Sequence, residues 1–190
     1  MQLTKRLIYL NLLSITFISL SIGCSRYKVS KTVKSSIGQT ITYPNEILCV
    51  EGADKHYAPL ADPIMTLLVW FDSTECSSCK IRGISTFQGL MSYCRDTLGS
   101  VDIKFLFSPL IDNIEYIVEA SSDLSVDYPI YIDVENKFKE FNSFIPDHFN
   151  YHSFLLNKEG GIELIGNPLI NEKINQLYRR TMKSYLVDHQ

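Results

Sequence analysis

Residues Thr66–Ile81 read TLLVWFDSTECSSCKI, an apolar run followed by two cysteines with two residues between them. An apolar run without alternation is typical of a strand that is buried on both faces. Beyond the cysteines, apolar residues recur at steps of three and four as far as Leu98, which predicts an amphipathic helix ending near Gly99. The two cysteines are therefore predicted to lie where a buried strand ends and a helix begins.

The rest of the chain continues this alternation of strands and helices. Residues 41–50 predict a strand or strand pair interrupted at Pro44, and residues 158–161 (KEGG) predict a hairpin turn because glycine supplies the positive φ. Further strands are predicted in 101–110 and 128–134, helices in 111–124, 135–145 and 170–186, and hairpin strands in 151–157 and 161–167. The order indicates a single α/β domain, a mixed sheet with helices on both faces.

Two of the helices are expected to bury an apolar stripe. In the short helix the stripe consists of Phe138, Phe141, Phe144 and Ile145, and Pro146 ends the helix. In the terminal helix it consists of Ile170, Ile174, Leu177, Met182 and Leu186. Both stripes follow the three- and four-residue steps of an amphipathic helix.

The position of the two cysteines at a helix start suggests their chemistry. Unpaired backbone N–H groups and the positive end of the helix dipole stabilise an anion there, so Cys76 is expected to ionise below the ordinary thiol pKa of about 8.5. Cys79, one turn later on the same face, is placed to resolve a mixed disulfide formed at Cys76. Glu75 opposes ionisation if it turns inward, whereas Lys80 favours it only if it turns back toward the thiol.

These residues carry a family resemblance. The strand LLVWF, the CxxCK motif opening a helix, and the later hairpin and terminal helix resemble the thioredoxin superfamily over residues 39–186. The export signal makes the chain most similar to tethered, extracytoplasmic, TlpA-like thiol-disulfide oxidoreductases. The resemblance implies a thioredoxin-like fold with Cys76 as nucleophile and Cys79 as resolving thiol. It implies no cofactor, and as partners it implies protein thiols or disulfides and a redox partner protein.

Two positions depart from the family pattern. Trp70 stands where the family keeps a buried acid or Asn, and Tyr151 or His152 stands where it keeps a cis-proline before the strand SFLL. An imidazole at His152 opposite Cys76 is one hypothesis for thiolate stabilisation; the alternative is that both residues are ordinary loop residues. The candidates for the substrate groove are Glu75, Ser77, Ser78, Tyr151 and His152.

The N-terminus has the pattern of an export signal. Lys5 and Arg6 precede an apolar stretch over residues 7–20, which is shorter than a membrane span. The following SIGC resembles a bacterial lipobox, with Ser21 in place of the usual Leu, so residues 1–23 are predicted to be a signal peptide and Cys24 to carry lipid. An ordinary signal peptide and an uncleaved anchor are the alternatives. All three place the chain outside the cytoplasm, most simply lipid-anchored in a bacterial envelope and facing the periplasm.

Removing residues 1–23 takes away two of the 18 basic residues and none of the 21 acidic ones, leaving a formal charge of −5. Such a chain is not expected to bind nucleic acid. Residues 24–38 are basic and serine-rich, which suits either a tether beside anionic lipid or a plain soluble linker. Residues 39–190 are then the folded domain.

Other interpretations of the cysteines are possible. A metal site would need further ligands, and no second paired motif accompanies the scattered candidates His56, His148, His152, His189 and Cys49, so no metal is predicted. A peroxiredoxin would place proline where Val69 stands. The more serious rival is a non-catalytic thioredoxin-like binding lipoprotein in which Cys76 and Cys79 form a static disulfide.

Two cysteines remain after Cys24 is assigned to lipid and Cys76 and Cys79 to the motif. Cys94 falls on the apolar stripe of the helix after the motif, and Cys49 falls in the strand predicted within residues 41–50. Both are expected to be small buried residues, and a disulfide between them is left open.

Overall fold

The computed structural model describes residues 31–60, 64–74, 77–122 and 128–188, apart from the side chains of Ser77, Ser78 and Asp188. At its centre the described strands form one seven-stranded mixed sheet in the order β2-β1-β5-β4-β3-β6-β7. The strands are β1 (Ile47–Glu51), β2 (Asp54–Ala58), β3 (Met65–Phe71), β4 (Val101–Phe107), β5 (Ile130–Ile132), β6 (Ser153–Leu156) and β7 (Ile162–Ile165). Strands β3, β4 and β5 are parallel, and the other neighbours pair antiparallel.

Helices cover both faces of the sheet, as predicted. They are α1 (residues 31–36), α2 (Ser77–Gly83), α3 (Gln88–Ser92), α4 (Ile114–Ser122), α5 (Phe138–Phe141) and α6 (Glu172–Asp188). Apolar residues of α2, α3, α4 and α6 join the core on one face, and Phe138 of α5 joins the core on the other. No helix among the described residues is both long and apolar enough to cross a membrane.

Strand β3 is the centre of the molecule. All seven of its residues are buried, because it lies between parallel β4 and antiparallel β6 and carries core on both faces. This confirms the prediction from its unbroken apolar sequence. The carboxyl ends of β3, β4 and β5 meet at one edge of the sheet, and the dithiol segment follows β3 at that edge.

The helix after the motif has the predicted apolar stripe but an irregular backbone. A 3-10 turn (Ile84–Phe87) separates α2 from α3, and α3 continues as a π-helical segment (Tyr93–Leu98). The helix ends where expected, since Gly99 has a φ of 66° and its N–H donates to the Cys94 carbonyl at 2.8 Å. Glycine adopts that left-handed conformation without the steric cost other residues incur.

The first predicted strand segment, residues 41–50 (the entrance segment), differs from its prediction. Of residues 41–50 only those from Ile47 onward form strand, and β1 pairs with a polar, exposed strand, β2, that hydrophobic patterning does not detect. Upstream of β1, the Asn142 side chain hydrogen-bonds the backbone of Thr42 as a neighbouring strand would. Its Oδ1 accepts from the Thr42 N–H at 2.8 Å and its Nδ2 donates to the Thr42 carbonyl at 2.7 Å.

Each predicted apolar stripe is confirmed in part. Helix α5 is a single turn; Phe138 and Ile145 are buried and Phe144 packs against them, as predicted. Phe141 is exposed instead, and Asn142, which follows the helix, is buried where it bonds to Thr42.

In α6 the predicted Met182 is buried, and the predicted Ile174 and Leu186 pack against the core. Leu177 is exposed instead, Tyr178 is buried without having been predicted, and Ile170 is exposed and precedes the helix.

The packed part of the chain begins before residue 39. Residues 31–36 are helical, Ser36 is fully buried, and its hydroxyl donates to the Phe144 carbonyl at 3.1 Å. The Gly38 N–H donates to Ile162 of β7 at 2.9 Å. Residues 31–38, predicted to be the end of the tether, therefore contact the folded domain.

Candidate functional site

The dithiol motif is only partly within the described residues. Cys79 is an exposed, free thiol in the first turn of α2. Ser77 and Ser78 begin that helix, whereas Glu75 and Cys76, like Cys24 and His189, lie outside the described residues. The nucleophile and the lipidation site therefore stay predictions from sequence.

The turn that leads into the motif is held by a local carboxylate. Oδ1 of Asp72 accepts from the Ser73 hydroxyl at 3.1 Å, and its Oδ2 accepts from the Thr74 hydroxyl at 3.2 Å. Short polar side chains that bond within such a turn stabilise it against alternative backbone paths. The backbone that enters the motif is thus held by the side chains of Asp72, Ser73 and Thr74.

Neighbouring segments flank the start of α2 on both sides. The Ser108 N–H, just after β4, donates to the Phe71 carbonyl at 2.9 Å, and the Trp70 N–H donates to the carbonyl of His152, just before β6, at 2.8 Å. Since β4 and β6 lie on either side of β3, the segments beyond Ser108 and before Ser153 flank the residues that directly follow β3.

A cleft of about 370 Å³ opens between α2 and the segment before β6. The residues lining it come from β3 (Val69, Trp70, Phe71), from α2 and the following turn (Lys80, Gly83, Thr86, Phe87), from the segment before β6 and its first residue (Phe149, His152, Ser153), and from the segment after β7 (Asn167, Leu169). A concave, largely apolar site with a few polar groups has the composition of a binding site.

Lys80 lies at this cleft rather than turned along the helix toward solvent. Its Nζ is 5.1 Å from the ring centroid of Phe149 and 5.9 Å from that of Phe71. Both distances are within the range of cation–π attraction. The ammonium group is thus held between an exposed ring of the segment before β6 and a buried ring of β3.

His152 is a buried wall of the cleft. Its ring lies 4.3 Å from the Trp70 ring, centroid to centroid, and its Nε2 is 3.0 Å from the Pro146 carbonyl oxygen. Because a carbonyl oxygen only accepts, Nε2 carries the hydrogen of that bond. The predicted approach of His152 to Cys76 stays a prediction.

Tyr151, the other candidate at that position, is not among the described residues that line the cleft. It is half-buried in a 3-10 turn (Phe149–Tyr151), with its ring 6.1 Å from that of His148. Every peptide bond of the described residues is trans. The segment before β6 therefore contributes Phe149 and His152 to the cleft, and not Tyr151.

Trp70 is the start of a buried chain of hydrogen bonds. Its Nε1 donates to Ser108 Oγ at 2.9 Å, and that hydroxyl donates to Oδ2 of Asp133 at 3.0 Å. The same oxygen accepts from the Phe138 N–H at 2.7 Å, and the other, Oδ1, has no hydrogen-bond partner among the described residues. An acid is thus present behind Trp70, contributed by the end of β5, which the sequence analysis did not identify.

The other two cysteines are free and buried. Cys94 packs in the core of α2 and α6, 3.9 Å from the Met182 sulfur. Ile47 of β1 belongs to the core on the opposite face, and alternation along the strand puts Cys49 on the same side as Ile47. The disulfide between Cys49 and Cys94 that the sequence left open is therefore absent.

Burial also makes both thiols poor nucleophiles. It raises the pKa of Cys94 from 9.0 to about 12, and it raises the pKa of Cys49, where the charges of Glu51 and Asp54 add to the effect. A thiol reacts through its thiolate, so neither is suited to exchange. Within the described ranges, no group of three His, Cys, Asp or Glu side chains is arranged to hold a metal ion.

The sequence analysis missed several residues of the site. Phe149, Asn167 and Leu169 reach the cleft from loops that carry no motif. Lys80 was recognised as a neighbour of the thiols but not as a residue of the cleft. These residues share no sequence motif. What they share is a position near the edge of the sheet at which β3 ends.

Comparison with known proteins identifies the fold of this chain. No family model matches the chain, and no curated protein matches it. Among solved structures, AhpC of Enterococcus faecalis superposes with a TM-score of 0.53 at 12% identity, over 82% of this chain and 95% of that one. A candidate thiol:disulfide interchange protein, DsbE, from Chlorobium tepidum gives 0.50 at 10% identity, over 77% and 99%.

An uncharacterised thioredoxin-like protein from Porphyromonas gingivalis also gives a TM-score of 0.50, at 13% identity, over 82% of this chain and 96% of its own. At these identities the similarity extends to the fold alone. The fold of this chain is thioredoxin-like, as the resemblance implied.

Proposed function

We propose that the protein is an extracytoplasmic thiol-disulfide oxidoreductase that exchanges disulfides with protein substrates through Cys76 and Cys79. The observation that carries this proposal is the exposed, free thiol of Cys79 in the first turn of the helix after the central strand of a thioredoxin-like fold. A thiol that only stabilised the fold would be expected to be buried or paired, as Cys49 and Cys94 are buried. A cleft suited to a ligand begins one residue further along, at Lys80.

The proposed reaction needs no group beyond the two thiols. The Cys76 thiolate attacks one sulfur of a substrate disulfide, forming a mixed disulfide and releasing the other substrate sulfur as a thiolate. The Cys79 thiolate then attacks the Cys76 sulfur and releases the second substrate thiolate, so the substrate gains two electrons and the Cys76–Cys79 pair loses them. A redox partner protein restores the dithiol; an oxidase runs the same steps in reverse.

The location outside the cytoplasm is proposed from the N-terminal sequence, residues 1–24. The basic residues, the short apolar stretch and the SIGC sequence support cleavage before Cys24 and lipid attachment to it. The mature domain would then be held at a membrane of a bacterial envelope and face the periplasm. Radiolabelled palmitate incorporated by the wild type and not by Cys24→Ala would support this anchoring, and equal labelling of both would contradict it.

A trapping experiment tests the exchange. Without the resolving thiol a mixed disulfide at Cys76 persists, so Cys79→Ala is expected to accumulate covalent adducts with substrate proteins that reductant releases. Cys49→Ala is the matched control, because it removes a buried thiol and should trap nothing. Absence of adducts from Cys79→Ala in the intact envelope would contradict exchange.

The rival function is a non-catalytic binding module with a static Cys76–Cys79 disulfide. Trp70 favours it, because the indole N–H only donates, here to Ser108, and cannot take up the proton that a buried acid at that place would accept. In that case Cys79 would resist alkylation in the native protein until strong reductant was added. In the proposed enzyme, mild dithiol reductant makes Cys79 reactive.

A further inference from the structure

Charge is distributed unevenly along the chain. Two of the 18 basic residues precede Cys24 and four lie in residues 24–45, where no residue is acidic; the other 12 and all 21 acidic residues lie in residues 46–190. These two parts therefore carry formal charges of +4 and −9. We propose that Lys31 and Lys34 of α1 form a docking surface for anionic lipid headgroups, and that docking turns the dithiol motif away from the membrane. This inference rests on the proposed lipid attachment at Cys24.

Helix α1 is fixed to the folded domain, so docking of the helix would orient the domain. On its inner side Ser36 is fully buried, and its hydroxyl donates to the Phe144 carbonyl at 3.1 Å. Directly after the helix, the Gly38 N–H donates to the Ile162 carbonyl and the Ile162 N–H donates to the Gln39 carbonyl, each at 2.9 Å. A helix held by these hydrogen bonds moves together with the domain.

The two lysines of α1 lie on its outer side. The exposed residues of the helix are Lys31, Lys34 and Ser35, which share one face because they are three and four residues apart, whereas Ser36 is buried. Neither lysine forms an ion pair with a described residue, although the domain beneath them is strongly acidic. Their charge therefore points toward a partner outside the domain.

The predicted anchor keeps this face close to the membrane. Six residues separate Cys24 from Lys31. An extended chain covers at most about 3.6 Å per residue, so the two residues are no more than about 25 Å apart. Basic side chains next to a lipid anchor are attracted to anionic headgroups, and a short attachment raises the effective concentration of headgroups at α1. Weak individual contacts can therefore hold the docked state.

Sheet topology separates α1 from the dithiol motif. Cys79 lies near the edge at which β3 ends, since Nζ of the adjacent Lys80 is 5.9 Å from the ring centroid of Phe71, the last residue of β3. The β6–β7 turn lies at the opposite edge, because β6 is antiparallel to β3. Gly38 bonds to Ile162, the first residue of β7 after that turn, so α1 joins the sheet at the opposite edge.

The acidic residues favour the same orientation. Asp112 and Glu135 are exposed in the segments that follow β4 and β5, at the edge where Cys79 lies, and an anionic surface repels them. In the β6–β7 turn, Glu159 lies 3.8 Å from Lys158, which offsets its charge. Docking through α1 thus keeps the exposed acids that follow the parallel strands away from the headgroups.

Acetylation of lysines on membranes tests the inference. The mature, lipidated protein is placed in vesicles of phosphatidylcholine alone or with one third phosphatidylglycerol, and mass spectrometry follows modification by a neutral acetylating ester. On the anionic vesicles Lys31 and Lys34 should react about fivefold more slowly than on the neutral ones, and Lys158 about twofold. Lys173, at the start of α6, should react equally on both. Salt at about 0.5 M should remove the protection.

Two double variants assign the effect to α1. Lys31→Gln/Lys34→Gln should lose the protection of Lys158 on anionic vesicles. Lys173→Gln/Arg180→Gln removes the same charge from exposed positions of α6 and should keep that protection. Cooperative thermal unfolding of each variant shows that it is folded.

Several results would overturn the inference. Equal acetylation of Lys31 and Lys34 on both kinds of vesicle would show that α1 does not dock. Slower reaction of these two lysines without slower reaction of Lys158 would show a basic tether that does not seat the domain. Slower alkylation of Cys79 by a bulky water-soluble maleimide on anionic vesicles would place the dithiol motif at the membrane.

Failure of docking can be told apart from failure of the proposed function. Palmitate labelling reports the anchor, and a protein that attaches to neither kind of vesicle would overturn docking as well. The Cys76→Ser/Cys79→Ser protein cannot exchange disulfides and should still show the protection of Lys31 and Lys34. Loss of exchange with retained protection therefore contradicts the proposed enzyme alone.

Discussion

The indole N–H of Trp70 donates a 2.9 Å hydrogen bond to the hydroxyl of Ser108, and both residues are fully buried. Trp70 is in β3 and Ser108 directly follows β4, and the hydroxyl in turn donates to Asp133 at the end of β5. These hydrogen bonds therefore join the carboxyl ends of the three parallel strands. They support the cleft, because the other side of Trp70 packs against His152.

Asp133 is expected to be the most sensitive member of this chain of hydrogen bonds. Asp133→Ala leaves the buried Phe138 N–H and the Ser108 hydroxyl without their acceptor. Unsatisfied buried donors cost about 1–3 kcal/mol each, so the free energy of unfolding should fall by about 2–4 kcal/mol. Urea denaturation measures it. Glu135→Ala, two residues on and exposed, should change it by less than about 0.5 kcal/mol; equal effects would refute the role of Asp133.

The thiols should differ sharply in reactivity. In the reduced native protein iodoacetamide at pH 8 should label Cys79, which is exposed, and spare Cys94 and Cys49. With a pKa of about 12, Cys94 is about one ten-thousandth thiolate at that pH. Peptide mass spectrometry locates the label. Denatured protein, in which every thiol should react, is the control. Labelling of Cys94 in the native protein would show that this thiol is not buried.

The raised pKa of Cys94 also predicts alkaline destabilisation. The unfolded chain loses this proton near pH 9.0 and the native protein only near pH 12, so the unfolded state binds fewer protons between these values. Stability from this thiol is therefore complete below pH 9 and falls by up to about 1.4 kcal/mol per pH unit above it. Burial raises the pKa of Tyr178 as well, which acts in the same direction.

Cys94→Ala isolates this contribution. The substitution lowers stability at every pH because it leaves a cavity, but the fall in the free energy of unfolding between pH 9 and pH 11 should be smaller than in the wild type. Parallel slopes for the two proteins would contradict the assignment. Urea denaturation at each pH gives the values.

Tyr178 anchors the segment that closes the far end of the cleft. Its hydroxyl donates to the Gly166 carbonyl at 2.6 Å, one residue before Asn167. Tyr178→Phe should lower the free energy of unfolding by about 1–2 kcal/mol, since a buried carbonyl loses its donor. Tyr185→Phe, on the same helix and half-buried, is the control with a smaller expected effect. Equal losses in the two variants would mean that the Gly166 bond has no special role.

Much of the fold was predictable because its strongest signals are local. The apolar run of β3, the stripe from Ile81 to Cys94 and the glycine turn of the β6–β7 hairpin each determine an element without help from distant residues. Strand β2 was missed because Asp54–Ala58 is polar and mostly exposed, and its pairing depends on β1 alone. The extent of α5 was wrong because Asn142 is buried for a contact a hundred residues away.

Only those parts of the candidate site that are close together in the sequence could be predicted. The spacing of Cys76 and Cys79 is visible in the sequence, as is the substitution of Trp70 for the expected acid. The cleft is not, because Phe149, Lys80 and Leu169 meet only when β3, β6 and α2 pack together. Asp133 was missed for the same reason, since its link to Trp70 runs through Ser108 at the end of a different strand.

The reduction potential of the Cys76–Cys79 pair tests the central claim most directly. The protein is equilibrated in dithiol buffers of graded potential, free thiols are blocked with a mass tag, and the fractions of dithiol and disulfide are counted. Exchange predicts one two-electron transition between about −270 and −120 mV, the range of known exchange proteins. A pair still oxidised below about −300 mV, or one that forms no disulfide in this range, would contradict the account.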